Sequence, residues 1–240
     1  GLLYSPLFHI MGLTAGLLKR THEGGRMHLR LRYDAEQAVR EVEEKKINSL
    51  GGVPTTWIAL LQLPDIEKRD LSSLQYVGSG GAPLPVEVYN RVKQLTGLKL
   101  RGGWGMTETA PACIIHHQGG AQTGMIGVPV PELEVKLIPE QPERYELRVR
   151  GPNVMPGYYE DPEKTAETFD DEGVLITGDA VRFIDPADIA QGVKFDGRIS
   201  EDFKLLTGTW VQAGTLRLNA LAALKGLVQD VVVTGADRNS

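Results

Sequence analysis

The chain has 240 residues, is 41% hydrophobic with 28 glycines and 14 prolines, and carries a formal net charge of −5 at pH 7. This composition predicts a globular α/β protein with many loops, in one large domain or two small ones. The acidic balance argues against a nucleic-acid partner. Because Cys113 is the single cysteine, an internal disulfide is excluded. No stretch reaches the roughly 20 apolar residues of a membrane span.

The first segment is apolar and is interrupted by proline and glycine. Residues 1–18 predict a strand end, a loop carrying His9, and a buried helix. Two interpretations of His9 stay open, because a histidine in apolar surroundings is either a packed loop residue or a functional group. Residues 27–32 alternate apolar and basic side chains, which predicts a half-buried strand.

Strands and helices alternate in the next segment. Asp34 is the expected N-cap of a helix with an apolar face, whose charged residues 41 and 43–46 are expected to point to solvent. Residues 47–53 predict the next strand, and Pro54 predicts the start of the helix after it. This rhythm favours a mostly parallel sheet.

Two glycine-rich loops follow consecutive predicted strands. Residues 74–78 predict a strand that runs into the first loop, 79–85, and a helix is expected at 87–96. Residues 98–101 predict a strand that leads to the second loop, 102–109. Loops after the strands of an open α/β sheet are where such proteins bind ligands, so we expect the two loops to form one site.

The second loop has the residue types of a nucleotide site. Gly103 lets backbone approach a ligand closely, and Trp104 offers a flat apolar face for stacking. The Thr107 hydroxyl can bond a phosphate oxygen, and Glu108 can hold a magnesium ion that bridges phosphates. The alternative is a tight turn before a helix that Thr107 caps.

After Pro111 the pattern changes to short strands separated by proline and glycine turns. Strands are expected at 135–138, 145–150 and 174–176, which predicts a small antiparallel or barrel-like subdomain. A rigid loop is expected at 151–159. Pro162 predicts the start of a short helix that ends near residue 169.

The last segment contains one conspicuous carboxylate and a predicted junction. Asp179 is expected at a strand end, where it is either a turn residue or an acceptor for two ribose hydroxyls. Residues 185–192 predict a surface insertion, and residues 195–204 predict a domain junction. A helix is expected at 216–227 and a strand at 231–234.

Six motifs, taken in order, resemble those of the adenylate-forming acyl-CoA synthetases, the AMP-dependent synthetases and ligases. They lie at residues 6–9, 79–83, 103–108, 157–159, 177–179 and 197–198. The resemblance covers nearly the whole chain. Residues 195–204 and 207–211 are most similar to feruloyl-CoA synthases.

The resemblance implies the fold and the domain organisation. Part of the large adenylation domain, a parallel sheet with helices, would be followed by a small β-barrel-like subdomain and the start of the small C-terminal domain. The expected domains are 1–118, with its N-terminal part missing, 119–196, and 197–240, which holds the hinge. No initiator methionine is present and both ends look cut, so we expect a fragment.

The resemblance also implies which residues bind the nucleotide. Thr107 would bond the α-phosphate and Glu108 would hold Mg²⁺. Trp104, where the family usually has tyrosine, would stack on adenine. Asp179 would bind the ribose hydroxyls, and Arg198 would support ribose or phosphate. The nucleotide-binding set as a whole is Gly80, Gly81, Ala82, Gly103, Trp104, Asp179 and Arg198.

The acid would bind beside the nucleotide. His9 is expected to be catalytic together with Thr107 and Glu108, and it would lie between the nucleotide and the acyl pocket. Small residues would wall the acyl pocket and leave room for a flat aromatic acid, as in the similar 4-coumarate–CoA ligases; they are Gly78, Ala110, Pro111 and Ala112.

The implied activity has two steps. The carboxylate of an aromatic, ferulate-like acid attacks the α-phosphorus of ATP and expels pyrophosphate, and the thiol of coenzyme A then displaces AMP. The implied partners are the acid, ATP and coenzyme A, in the cytoplasm; the oligomeric state is not predicted. Two alternatives remain: transfer to a carrier protein or reductase, and a non-catalytic remnant of the fold.

Three departures from the family pattern matter. The glycine-rich loop with a phosphate-binding lysine lies upstream in the family, and the catalytic lysine of the small domain lies downstream; this chain contains neither. Ser200 stands where the family usually has aspartate or lysine, and the run from Lys204 to Gly208 is one residue longer than usual. The third departure bears on the contacts with coenzyme A. Because of the first two, we expect the fragment to be inactive alone.

Overall fold

The computed structural model of the protein describes residues 1–116, 124–205, 210–224, 228 and 231–234. It divides into two compact units. Gly1–Leu133 with Pro152–Pro156 forms the first, and Glu134–Gly151 with Gly157–Ser240 forms the second. The predicted domain borders after residues 118 and 196 do not coincide with this division and stay predictions; the first of them lies outside the described residues.

The first unit contains a parallel sheet flanked by helices. Its strands are β1 (Leu2–Leu3), β2 (His28–Leu29), β3 (Ser49–Gly52) and β4 (Tyr76–Ser79), in the order β2-β1-β3-β4. Its helices are α1 (Lys19–His22), α2 (Ala35–Lys45), α3 (Pro54–Leu61) and α4 (Val86–Thr96), and a π-helical segment, Met11–Leu18, runs into α1. Every strand pair in this sheet is parallel, which confirms the predicted mostly parallel sheet.

The core of the first unit lies between this sheet and its helices. Leu50 and Val77 of the strands pack in one cluster with Val39 of α2, Trp57 of α3 and Val92 of α4. All five are at most 1% exposed, so burial of apolar surface holds the helices on the sheet.

Local sequence signals account for where the helices begin. The Asp34 carboxylate accepts a hydrogen bond from the backbone amide of Gln37 at 2.7 Å, which confirms the predicted N-cap of α2. Pro54 occupies the first turn of α3, as predicted.

Three details of the first unit differ from the prediction. The segment Met11–Leu18 is not buried: Gly12 is its one buried residue. Glu41 does not point to solvent but is 4% exposed, because Arg30 and Lys45 neutralise it. The strand expected at 98–101 is a single parallel bridge between Gly78 and Arg101.

Three antiparallel strands complete the first unit. They are β5 (Gly103–Gly105), β6 (Ala112–Ile115) and β7 (Met125–Pro129). Between β5 and β6 lies a single 3₁₀ turn, Thr107–Thr109, with Met106 at its N-cap. The alternative interpretation of Thr107 as a helix cap is therefore wrong.

The second unit contains an antiparallel sheet, as predicted for this part of the chain. Its strands are β8 (Glu134–Gln141), β9 (Arg144–Arg150), β10 (Leu175–Phe183) and β11 (Val193–Arg198), paired in the order β11-β10-β9-β8. Helix α5 (Pro162–Thr168) confirms the predicted short helix, and the Asp161 carboxylate caps it through the amide of Lys164 at 3.0 Å.

The C-terminal part forms two short strands and a helix. These are β12 (Phe203–Lys204), β13 (Trp210–Val211) and α6 (Ala213–Ala223). Helix α6 begins three residues before the predicted start, and residues 231–234 are not a strand. Residues 207–209, which carried part of the likeness to feruloyl-CoA synthases, and Leu227 lie outside the described residues. No helix in the described part of the chain is long and apolar enough to cross a membrane.

Candidate active site

The two glycine-rich loops lie side by side. The amide of Ser79 donates to the carbonyl of Arg101 at 2.8 Å, and the amide of Gly80 donates to the carbonyl of Gly52 at 3.1 Å. A Cβ on Gly80 would lie 3.9 Å from the carbonyl oxygen of Gly103. Both loops therefore occur at the carboxyl end of the parallel strands, where open α/β sheets place their ligands.

The loop that carries His9 lies against the first glycine loop. His9 is exposed, and its Nδ1 accepts a hydrogen bond from the amide of Met11, the first residue of the π-helical segment, at 3.2 Å. The Met11 thioether lies within 3.3–3.4 Å of the Cβ positions of Gly80 and Gly81. Met11, two residues after His9, therefore lies against the loop predicted to line the adenine.

The second glycine loop requires glycine at one position for a steric reason. A Cβ on Gly105 would lie 1.6 Å from the carbonyl oxygen of Pro111, so only glycine fits at this last position of β5. Trp104 is half-buried, Thr107 is exposed, and Glu108 is half-buried. The hydroxyl predicted to meet a phosphate is therefore accessible.

Asn153, which the sequence pattern did not indicate, forms hydrogen bonds that hold the turn after Glu108. The side-chain amide of Asn153 donates to the carbonyls of Thr109 at 2.9 Å and Ala112 at 2.8 Å. The amide of Met155 donates to the carbonyl of Glu108 at 2.8 Å. Since a loop asparagine has many local roles, no sequence signal identifies this contact.

The residues predicted to line the acyl pocket have defined surroundings. The carbonyl of Gly78 accepts from the indole Nε1 of Trp57 at 3.0 Å. A Cβ on Gly78 would lie 3.0 Å from the Tyr76 hydroxyl, so the tyrosine ring occupies the space beside this glycine. Ala110, predicted with Pro111 and Ala112 to wall the pocket, has a positive φ of 53° at the end of the 3₁₀ turn.

Asp179 and Arg198 are brought together in the second unit. They are register partners on β10 and β11, and the Arg198 Nε lies 3.3 Å from the Asp179 Oδ1. The side chain of Asp179 is 5% exposed and that of Arg198 is 52% exposed. A buried carboxylate below an exposed guanidinium suits a ligand that carries both hydroxyl groups and negative charge.

Asp179 lies inside β10, not at a strand end as predicted. The register of β10 shifts against β9 between Ile176 and Ala180, and against β11 between Asp179 and Val181. Such bulges re-aim side chains and often occur next to active sites. The Thr177 hydroxyl fixes the bulge, since it accepts from the amide of Asp179 at 3.1 Å and donates to a β9 carbonyl.

A buried ionic cluster supports the sheet of the second unit. The Arg144 guanidinium, 1% exposed, lies 3.1 Å from Asp196 and 2.6 Å from Asp202. Arg182 approaches Asp196 at 2.7 Å, and the Thr215 hydroxyl donates to Asp196 at 3.0 Å. The predicted junction at 195–204 is therefore tied to β9, β10 and α6, which the sequence pattern did not indicate.

The chemistry of Glu108 fits the magnesium role implied by the resemblance. In the described part of the chain, no three histidine, cysteine or acidic side chains cluster to hold a metal ion. Magnesium usually keeps several waters and binds through one or two carboxylates together with substrate phosphates. A single half-buried carboxylate beside an accessible hydroxyl is consistent with that arrangement.

Comparison with protein families decides the broad assignment. A sequence model of the family described as AMP-binding enzyme matches residues 2–159, which is more than half of the chain. The chain belongs to the AMP-binding enzyme family. This confirms the resemblance to adenylate-forming enzymes, while the roles of single residues stay predictions.

Individual relatives of this chain are named for different acids. It is 36% identical over 182 residues to a long-chain-fatty-acid–CoA ligase of Bacillus subtilis, covering 72% of this chain and 32% of that protein. It is 33% identical over 183 residues to a probable 4-coumarate–CoA ligase 1 of Dictyostelium discoideum, covering 72% and 33%. The chain therefore spans about a third of the length of these relatives.

A solved structure supports the fold. The o-succinylbenzoate CoA synthetase of Bacillus subtilis, in complex with its acyl-adenylate intermediate, superposes with a TM-score of 0.82 at 24% identity. The match covers 99% of this chain and 48% of that one. The mixed α/β class predicted from the sequence is thereby confirmed, whereas the likeness to feruloyl-CoA synthases stays a prediction.

Proposed function

We propose that the full-length protein containing this chain is an ATP-dependent acid–CoA ligase for an aromatic, hydroxycinnamate-like carboxylate. The observation that carries the proposal is the contact of the two glycine loops at the end of the parallel sheet. The second loop bears Trp104, Thr107 and Glu108 within six residues. The family and the names of the relatives support a ligase that forms an acyl-adenylate.

Some of the predicted site residues would bind the nucleotide, and others would stabilise negative charge on its phosphates. Gly80, Gly81 and Ala82 would line the adenine with Trp104 against its face. Asp179 and Arg198 would bind the ribose. Mg²⁺, held by Glu108 and the phosphates, would supply positive charge at the phosphate oxygens.

The proposed reaction proceeds by two displacements. A carboxylate oxygen of the acid bonds to the α-phosphorus of ATP, and the bond to pyrophosphate breaks. The exposed Thr107 hydroxyl would donate to an α-phosphate oxygen, where negative charge increases. The thiolate of coenzyme A then attacks the acyl carbon, and AMP leaves with the electrons of the acyl–oxygen bond. His9 would separate the nucleotide from the acid.

Pyrophosphate release tests the first step. The full-length protein should release pyrophosphate from ATP when ferulate is added, and Glu108→Ala should abolish this release while the protein stays folded. Glu87→Ala is the matched control, because Glu87 is an exposed glutamate on α4. Unchanged release by Glu108→Ala would remove the magnesium role, and no release with any acid would contradict the ligase.

The acceptor is tested separately. AMP release should rise when coenzyme A is added to the ATP and ferulate mixture, together with formation of the acyl thioester. Equal AMP release with and without coenzyme A would favour a carrier protein or a reductase as acceptor. This alternative has a basis in the sequence, because Ser200 departs from the usual family residue at the junction.

A further inference from the structure

Tyr76, Gly78 and Arg101 lie on one face of the parallel sheet. Tyr76 and Gly78 are two residues apart on β4, so they face the same side. Arg101 pairs in parallel with Gly78, and its amide donates to the carbonyl of Val77 at 3.0 Å. Val77, which faces the other way, is 1% exposed in the core. The three residues therefore face away from that core.

Tyr76 and Arg101 are in contact beside Gly78. The guanidinium carbon of Arg101 lies 5.5 Å from the centre of the Tyr76 ring. The ring leans along the strand, so that its hydroxyl and Cε1 lie 3.0 and 3.1 Å from the Cβ position of Gly78. Glycine at 78 is what makes room for the ring.

The guanidinium of Arg101 keeps its hydrogen-bond donors available. A cation–π contact uses the face of the guanidinium and leaves the N–H groups at its edge. Arg101 is exposed, and no carboxylate in the described part of the chain lies within ion-pair distance of it. In contrast, Arg30 and Arg69 of the same unit are paired with glutamates.

Stability alone does not account for this pair. Tyr76 is 42% exposed, and exposed cation–π and ionic contacts contribute little to folding. The pair also orders a long side chain, which costs conformational entropy. An exposed planar donor held over an aromatic ring suits a ligand with an aromatic ring and an oxygen acceptor.

We propose that Tyr76 and Arg101 determine the acid specificity of the site by recognising a ring oxygen of the substrate. The inference rests on the proposed function and on the prediction that Gly78 lines the acyl pocket. The tyrosine ring packs against the aromatic ring of the acid, and the guanidinium donates to a phenolic oxygen at the end of the substrate remote from the reacting carboxylate. Both residues act as specificity determinants and have no part in the chemical steps.

The test compares two acids that differ in one hydroxyl group. For the full-length protein, kcat/KM is measured by pyrophosphate release with 4-hydroxycinnamate and with cinnamate. Arg101→Met should lower kcat/KM for the hydroxylated acid on the order of tenfold, the size of a lost charged hydrogen bond. The value for cinnamate should change less than about twofold, because cinnamate has no oxygen for the guanidinium.

Further variants separate the ring from the charge. Tyr76→Phe keeps the ring and should retain the preference for the hydroxylated acid, whereas Tyr76→Leu should lower it. Arg101→Lys keeps the charge without the planar fork and should give an intermediate preference, which also serves if Arg101→Met fails to fold. Arg91→Met is the matched control, since Arg91 is an exposed arginine on α4 paired with Glu67, and it should leave the preference unchanged.

Failure of the inference differs from failure of the proposed function. If Arg101→Met and Arg101→Lys each change kcat/KM for the two acids by the same factor, or change neither value, the role of Arg101 is overturned. The ligase function would remain intact. If the unaltered protein releases no pyrophosphate with any aromatic acid, the proposed function fails first and the inference fails with it.

Discussion

The side-chain amide of Asn153 donates to the carbonyl of Thr109 at 2.9 Å, although the two residues are 44 positions apart in the sequence. The same nitrogen donates to Ala112 at 2.8 Å, so both of its hydrogens are used. One side chain therefore holds the two ends of the turn that follows Glu108. We infer that the position of the proposed magnesium ligand depends on this amide.

Asn153→Ala should impair the first step more than nucleotide binding. Loss of two hydrogen bonds to backbone carbonyls should cost about 1–2 kcal/mol of stability, and a looser turn should lower kcat for pyrophosphate release about tenfold. Asn153→Asp should be worse, because a carboxylate would face two carbonyl oxygens. Asn90→Ala, at an exposed position on α4, is the control. Full activity of Asn153→Asp would exclude the positioning role.

Asp179 offers a test that distinguishes ribose binding from a general loss of structure. If its carboxylate accepts from the ribose hydroxyls, the unaltered full-length protein should bind 2′-deoxy-ATP about tenfold more weakly than ATP. Asp179→Ala should bind both nucleotides with the same reduced affinity, because the group that senses the 2′-hydroxyl is gone. Binding is measured by calorimetry, with the exposed Asp188→Ala as control. A persisting preference for ATP in Asp179→Ala would count against the assignment.

Local signals were sufficient for the elements with strong caps. Asp34 and Asp161 begin α2 and α5 through side-chain caps, and Pro54 begins α3, because these residue types act on the chain next to them. The contact between the two glycine loops was also predictable, since consecutive parallel strands end at the same edge of a sheet.

Long-range contacts account for what the sequence did not predict. The bulge at Asp179 depends on the register of β10 with two other strands, and Glu41 is buried because Arg30, eleven residues earlier, pairs with it. Asn153 and the Tyr76–Arg101 pair lack a local pattern for the same reason. The contacts of single residues at these positions can be determined only when the pairing of distant segments is known.

The buried cluster around Arg144 should dominate the stability of the second unit. Arg144→Met leaves Asp196 and Asp202 without their shared cation, and an uncompensated buried charge costs about 3 kcal/mol or more. Arg150→Met should cost within about 0.5 kcal/mol, because Arg150 and Glu134 form an exposed ion pair, 49% and 61% exposed. Thermal unfolding and limited proteolysis of the junction at 195–204 measure the difference. Equal melting temperatures for the two variants would contradict the structural role of the cluster.

The carboxylate of Glu41 predicts a pH-dependent contribution to the first unit. Burial alone would raise its pKa, but hydrogen bonds and charges from Arg30 and Lys45 outweigh burial, so the pKa lies below the ordinary value. A carboxyl group with a lowered folded-state pKa contributes stability above its unfolded pKa of about 4.3 and loses that contribution as the pH falls through the folded value.

Glu41→Gln should therefore lower stability at pH 7 by about 2 kcal/mol, the size of a hydrogen-bonded charge pair. The difference from the unaltered protein should shrink as the pH is lowered below about 4.3, because the carboxylate then takes up a proton. Glu44→Gln is the control, since Glu44 is exposed on the same helix. Urea unfolding from pH 3 to 8 measures both variants. A difference that stays constant over this range would mean that Glu41 stabilises α2 through packing and not through its charge.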